Sequence, residues 1–185
     1  MEPVQKNEYY TYSDYAKWDD GARYELIDGI AYMMSPSPNR FHQEIIGNLY
    51  LQFAQFLVGK PCKVFLSPFD VRLNAAEEDD TVVQPDLLVI CDKSKLTDEG
   101  SVGAPDLVIE VLSPSTARND KSIKFKKYQR YGVREYWIVD PASNTVHAYT
   151  LTDGKYVVNV YDDNDVAPVH ILDGCFIDLA KVFAL

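Results

Sequence analysis

The stretch Ala104 to Thr116, APDLVIEVLSPST, constrains this chain more than any other, because it sets an acid inside a run with the character of a buried strand. Leu107, Val108, Ile109, Val111 and Leu112 are apolar or β-prone, and Glu110 stands among them. Alternation of period two puts Asp106, Val108, Glu110 and Leu112 on one face and Leu107, Ile109 and Val111 on the other. Burying an unpaired carboxylate costs several kcal/mol or forces it to take up a proton. A cation, a hydrogen-bond donor or a metal is therefore expected opposite Glu110.

The candidates for that partner are spread along the chain. In Tyr24-Glu25-Leu26-Ile27-Asp28-Gly29 a hairpin is expected to turn at Asp28-Gly29, with Glu25 a solvated acid on an edge strand. Phe41, Ile45, Leu49, Phe53, Phe56 and Leu57 recur at helical spacing, widened by Ile46 and Leu51, so a core helix is expected over Phe41 to Val58. His42, in its first turn, suits a structural hydrogen bond by itself. Lys63 to Leu73 is expected as one strand with Asp70 embedded in it. Pro85 delays the pairing of the next strand to Asp86, which shares a face with Leu88 and Ile90.

After Glu110, Ser113-Pro114-Ser115-Thr116 ends the strand and caps a helix expected over Ala117 to Tyr131, stopped by Gly132. Wound at ~100° per residue, that helix puts Lys124 near the middle of its packed arc, where a lysine alone would snorkel outward. Glu135 to Asp140 is a further strand, and a hairpin follows around Thr152-Asp153-Gly154. His147 and His170 lack partners at metal spacing and are expected to be structural.

With 185 residues, 46% of them hydrophobic, one domain over residues 1–185 is expected. No basic-then-apolar leader opens the sequence and no run approaches the ~20 apolar residues of a membrane span, which suits a soluble, cytoplasmic protein. Cys62, Cys91 and Cys175 are odd in number and lack CxxC spacing, so reduced core thiols are expected. The net charge of −10 argues against polyanion binding over the whole surface. Locally the balance reverses: seven of the 18 basic residues fall between Arg118 and Arg134, so one segment can face phosphate.

Two carboxylates on neighbouring strands, Asp86 and Glu110, with nearby carbonyls are hard oxygen donors suited to Mg²⁺ or Mn²⁺, and Lys124 offers charge for a phosphate. That combination serves metal-assisted phosphodiester hydrolysis. YELIDG, His42-Gln43, SPFDVRL, QPDLLVI, APDLVIEVLSPST, DKSIKFKKY and GVREYWIVDP together resemble the Uma-type putative restriction endonuclease family of the PD-(D/E)XK nuclease superfamily. The resemblance implies an α/β (α+β) fold: a restriction-endonuclease-like core with a central mixed β-sheet flanked by helices and extra β-hairpins. It also implies a DNA partner and a homodimer. Carried over, it gives Asp86 and Glu110 as metal ligands with the Val111 carbonyl as a third, Glu25 as an auxiliary acid and His42 as its orienting group. Asp70 and Asp120 are further auxiliary candidates, and Arg118, Lys121 and Lys127 are candidates for DNA contact. The superfamily's lysine two residues after the second acid is Leu112 here, and Lys124 takes its role.

The alternative is a nuclease fold without catalysis that binds nucleic acid, a nucleotide or a protein. Glycoside hydrolysis by two carboxylates fits less well, since it leaves Lys124 and the basic helix without a role.

Overall fold

A computed structural model of the chain describes residues 8–34, 39–113, 117 and 120–184. A short helix α1 (Tyr12–Tyr15) leads into the hairpin β1 (Tyr24–Ile27) and β2 (Ile30–Met33). Both turn residues, Asp28 (φ 51°) and Gly29 (φ 73°), are left-handed, which is the backbone that Asp-Gly favours. Helix α2 (Arg40–Leu57) starts where the Asn39 side chain accepts the His42 backbone N–H at 2.9 Å. It buries Ile45, Ile46, Leu49, Phe53 and Leu57, while Phe41 and Leu51, expected on the stripe, are exposed.

The strand expected over Lys63 to Leu73 is two strands in different sheets: β3 (Lys63–Leu66) and β4 (Asp70–Arg72), separated at the cis bond Ser67-Pro68. Proline cannot donate to a ladder, so pairing breaks there. Pro85 separates β5 (Val82–Val83) from β6 (Leu87–Ile90) in the same way.

Six strands form the main sheet, in the order β11 (Lys155–Asp162), β10 (Thr145–Thr152), β9 (Glu135–Asp140), β8 (Leu107–Val111), β6 and β3. Only β8 and β9 run parallel in it, joined by the helical crossover that holds Lys124, so the sheet is mixed. A five-stranded sheet, β2-β1-β5-β4-β7 (β7, Gly100–Val102), shares no ladder with it among the described residues, and β12 (Val166–Pro168) pairs with β13 (Phe176–Asp178) before α4 (Leu179–Val182). No helix among the described residues is long and apolar enough to cross a membrane.

The two faces of β8 serve two cores, as alternation requires. Leu107, Ile109 and Val111 pack with Ile45, Leu49 and Phe53 of α2 and with Trp137. Val108 and Leu112 pack with Val71, Val83, Tyr128 and Tyr136. Glu110, on this second face, is 3% exposed.

Two expectations fail here for tertiary reasons. The crossover is not uniformly α-helical: Asp120–Lys124 winds as a π-helix before α3 (Phe125–Tyr131), which ends on left-handed Gly132. The Tyr136 hydroxyl donates to the Asp120 carbonyl at 3.1 Å, at the start of this turn. Cys62 and Cys91 are bonded to each other rather than being separate reduced thiols. Lys63 pairs with Ile90 across β3 and β6, which brings the residues just beyond that rung face to face. Cys175 is free and buried, as expected, and burial pushes its thiol up to about 11.

Phe53 stacks edge-on against Trp137, 6.2 Å between ring centres, where α2 crosses the sheet. Phe53→Ala is expected to cost about 3–5 kcal/mol, read as a lower urea midpoint with an unchanged slope.

Candidate functional site

The partner of Glu110 is Lys124. Its ammonium lies 2.9 Å from Glu110 Oε1, 2.8 Å from Glu25 Oε1 and 3.6 Å from Asp120 Oδ1. Four elements supply this cluster: β8 brings Glu110, β1 brings Glu25, and the π-turn brings Asp120 and Lys124, with α3 adding the Tyr128 hydroxyl, which donates to Glu110 Oε1 at 2.8 Å. Lys124 is 3% exposed, so it does not snorkel. Glu25 is fully buried, contrary to the solvated edge position expected for it, because β5 covers β1 on the side away from β2.

The charges in this cluster do not balance. Three carboxylates meet one ammonium in a site with almost no access to water. Burial pushes the Glu110 carboxyl up; Lys124 pulls it back in part, and Asp120, Asp86 and Glu25 add to the rise, leaving it well above the usual carboxylate range. Burial pulls Lys124 down, but Glu110, Glu25 and Asp120 outweigh this and hold its ammonium well above the usual range. Glu25 Oε1 also accepts the Gln84 backbone N–H at 2.8 Å, while Glu25 Oε2 is buried with no hydrogen-bond partner among the described residues. An excess of buried acid and an unpartnered oxygen are what an additional cation would relieve.

One residue along β8 is a second group. Asp86, just before β6, accepts the Val111 backbone N–H on Oδ2 at 2.8 Å. His42 Nε2 lies 3.3 Å from the same oxygen and 2.9 Å from the Val111 carbonyl, to which it donates. Burial lowers the His42 pKa, but the Asp86 carboxylate, by hydrogen bond and charge, and the Val111 carbonyl together raise it above the ordinary value. His42 therefore contacts Asp86 and Val111 rather than Glu25.

Asp86, Glu110 and the Val111 carbonyl are thus neighbours of one chemical kind, hard oxygen donors that suit Mg²⁺ or Mn²⁺. The carbonyl has a second lone pair beyond the one His42 uses. Among the described residues no three His, Cys, Asp or Glu side chains are grouped for a metal, so a donor set here rests on two carboxylates and a backbone oxygen. An open cleft of about 540 Å³ adjoins His42, lined by Phe41, Leu112, Lys121, Asp140 and Pro141.

The remaining candidates fall outside this centre. Asp70 accepts Gln84 Nε2 at 2.7 Å and the Tyr15 hydroxyl at 3.0 Å, and touches the cluster only through Gln84; burial raises its pKa. Lys121 lies at the cleft with a loose ion pair to Asp140 at 3.5 Å. Lys127 is mostly buried and paired with Asp28, so it is committed to the β1–β2 turn. Arg118 lies outside the described residues. Tyr128 and Gln84 also reach the cluster and are not among the residues expected there. Tyr128 stands four residues after Lys124, on the same helical arc, and that spacing is the signal that could have found it.

Known proteins resemble this chain in sequence and in fold. Residues 12–180 match the family model Uma2, described as putative restriction endonuclease. An uncharacterized protein of Synechocystis sp. (strain ATCC 27184 / PCC 6803 / Kazusa), slr1290, is 28% identical over 156 residues, covering 82% of this chain and 80% of that one. A second from the same organism, sll1609, is 32% identical over 111 residues, 58% of this chain and 61% of its own length. The crystal structure of a putative nuclease belonging to DUF820 from Anabaena variabilis ATCC 29413 superposes with a TM-score of 0.76 at 19% identity, covering 95% of this chain and 98% of that one. The fold is therefore that of a nuclease-like protein.

Lys124→Met strands three buried acids, and a loss of about 3–5 kcal/mol is expected near neutral pH. Glu110 titrates above its unfolded value, so the native state holds extra protons as pH falls through that raised range. The deficit of Lys124→Met is expected to shrink on acidification, as urea denaturation of both proteins at neutral pH and nearer the ordinary carboxylate range would show.

Proposed function

The chain belongs to the Uma2 putative restriction endonuclease family, and we propose that it is a Mg²⁺- or Mn²⁺-dependent endodeoxyribonuclease hydrolysing DNA phosphodiester bonds. One observation carries this reading: the ammonium of Lys124 reaches Glu110 at 2.9 Å although Leu112 fills the usual lysine position on the strand.

Asp86, Glu110 and the Val111 carbonyl would hold the metal, which when bound supplies a Lewis acid and a more acidic water. Asp86 is held in place by the Val111 N–H, and His42 fixes the Val111 carbonyl. The surrounding acids favour the charged form of Lys124 in a site with little water, where it would stabilise charge growing on the phosphoryl oxygens. Glu25 anchors that ammonium from the second sheet, and Tyr128 fixes the orientation of Glu110. Lys121, at the cleft and about half exposed, can exchange Asp140 for a DNA phosphate.

A second reading has its own observation. Lys124 is enclosed by acids and 3% exposed, as suits a structural ammonium in a module that binds without cutting. Supercoiled plasmid incubated with Mg²⁺ or Mn²⁺ separates the two. Nicking and linearisation by the wild type are expected, lost in Asp86→Ala and lowered at least ~10²-fold in Lys124→Met. Equal cleavage by Asp86→Ala would overturn the nuclease reading. DNA retention without cleavage, and no heat on metal titration, would select the binding module.

A further inference from the structure

The outer strand of the main sheet, β11, reads Lys155-Tyr-Val-Val-Asn-Val-Tyr-Asp162 and, among the described residues, pairs only with β10, over all eight of its residues. It carries no proline, and Val157, Val158 and Val160 are 55%, 45% and 56% exposed. Long exposed edges of this kind are ready templates for another strand, and proteins usually blunt them.

The chain blunts this edge at both ends and leaves its middle open. The Tyr156 N–H is taken by Gln129 Oε1 of α3 at 3.0 Å, and the Asp162 N–H by Asp165 Oδ2 at 2.9 Å. Both bonds show that the backbone groups of residues 156 and 162 point away from β10. By the period of two, those of Val158 and Val160 do as well. The two-residue turn agrees: Asp153 and Gly154 are left-handed and Thr152 faces Lys155. Two residues at the centre of the edge therefore present N–H and C=O groups to solvent, between capped neighbours.

We infer that this window is the contact surface for a second copy of the chain, paired antiparallel about a two-fold axis at Asn159. Outward-pointing residues must meet outward-pointing residues in an antiparallel ladder, and the register centred on Asn159 sets Val158 opposite Val160 of the second copy twice over. Each such pair exchanges two hydrogen bonds. The caps at Tyr156 and Asp162 close the ladder just outside these pairs and so oppose a slip in register. The ends are complementary in charge: Lys155 of one copy approaches Asp162 and Asp163 of the other. Exposed valines on both faces of the strand are covered in the same step, and the main sheet continues from one molecule into the next. The surface is independent of Glu110 and Lys124, so it stands or falls apart from the nuclease reading.

Sedimentation of the full chain at rising concentration is expected to approach twice its mass of 21.0 kDa, and Val158→Lys combined with Val160→Lys is expected to keep it monomeric. Both positions are exposed, and an unchanged circular dichroism spectrum would show that the variant folds. Asn159→Cys gives a sharper test of register, because a non-hydrogen-bonded antiparallel pair holds its Cα atoms ~4.5 Å apart, within disulfide range. Under mild oxidation it is expected to run as a covalent dimer on a non-reducing gel, while Asn164→Cys, beyond the strand, stays monomeric. A wild type that remains monomeric, a dimer that survives the double lysine change, or a dimer that Asn159→Cys does not cross-link would each overturn the inference.

Discussion

The contact between Glu110 and Lys124 is the one on which the arrangement of this protein depends. A carboxylate on the central strand β8 has no water to turn to, so the element that packs over that face must bring it a cation. That requirement fixes how the crossover helix docks. Lys124 has to point inward, Tyr128 one turn later reaches the same oxygen, and the π-turn allows Asp120 to face the same centre. A buried ion pair of this kind is weak as a source of stability, since an apolar pair of similar size would serve as well or better. The needs of the core alone therefore do not explain its presence at the centre of the sheet.

Glu135 provides the control for that argument. It too is an acid fully buried on a strand, β9, next to β8, and burial raises its pKa. Its oxygens accept the Trp137 indole N–H at 2.7 Å and the Ile171 backbone N–H at 2.9 Å, neutral donors that tie a loop to the sheet. No ammonium stands near it among the hydrogen bonds and ion pairs of the described residues. Burial alone therefore does not distinguish the two carboxylates. What separates Glu110 is the gathering of charges around it and the oxygen of Glu25 left unpartnered beside it.

The parts of the fold that were legible in the sequence are those set by local periodicity. The two faces of β8, the span of β9, the long hairpin and the buried stripe of α2 all follow from residues within a few positions of one another. What could not be read depends on contacts made far along the chain. The burial of Glu25 needs β5 beside β1, and the bond between Cys62 and Cys91 needs the pairing of β3 with β6 across 29 residues. The break at Ser67-Pro68 was signalled by proline, but alternating apolar residues on both sides of it concealed that they belong to different sheets. The need of Glu110 for a cation was legible in its strand, and Lys124 meets it. The full cluster was not, because Gln84 enters through a backbone amide, which leaves no sign in a sequence, and Tyr128 is marked only by its spacing from Lys124.

A lysine on the crossover helix makes the cluster depend on more than the strand that carries Glu110. A lysine at Leu112 would be carried by the same rigid strand as Glu110 and would need no other element to arrive. Lys124 reaches Glu110 only when the crossover helix is seated, and it is held there by Glu25, which comes from the other sheet. The cluster is complete only when β8, the π-turn and β1 are packed together, so a shift of the five-stranded sheet would withdraw an acid from the ammonium. Disturbing that packing exposes the apolar faces of Val71, Val83 and Tyr128 as well as unpairing the charges, and these costs oppose the same movement. The helix-borne lysine thus makes the charge balance of the site a consequence of how the two sheets meet, where a strand-borne lysine would have made it a property of one strand.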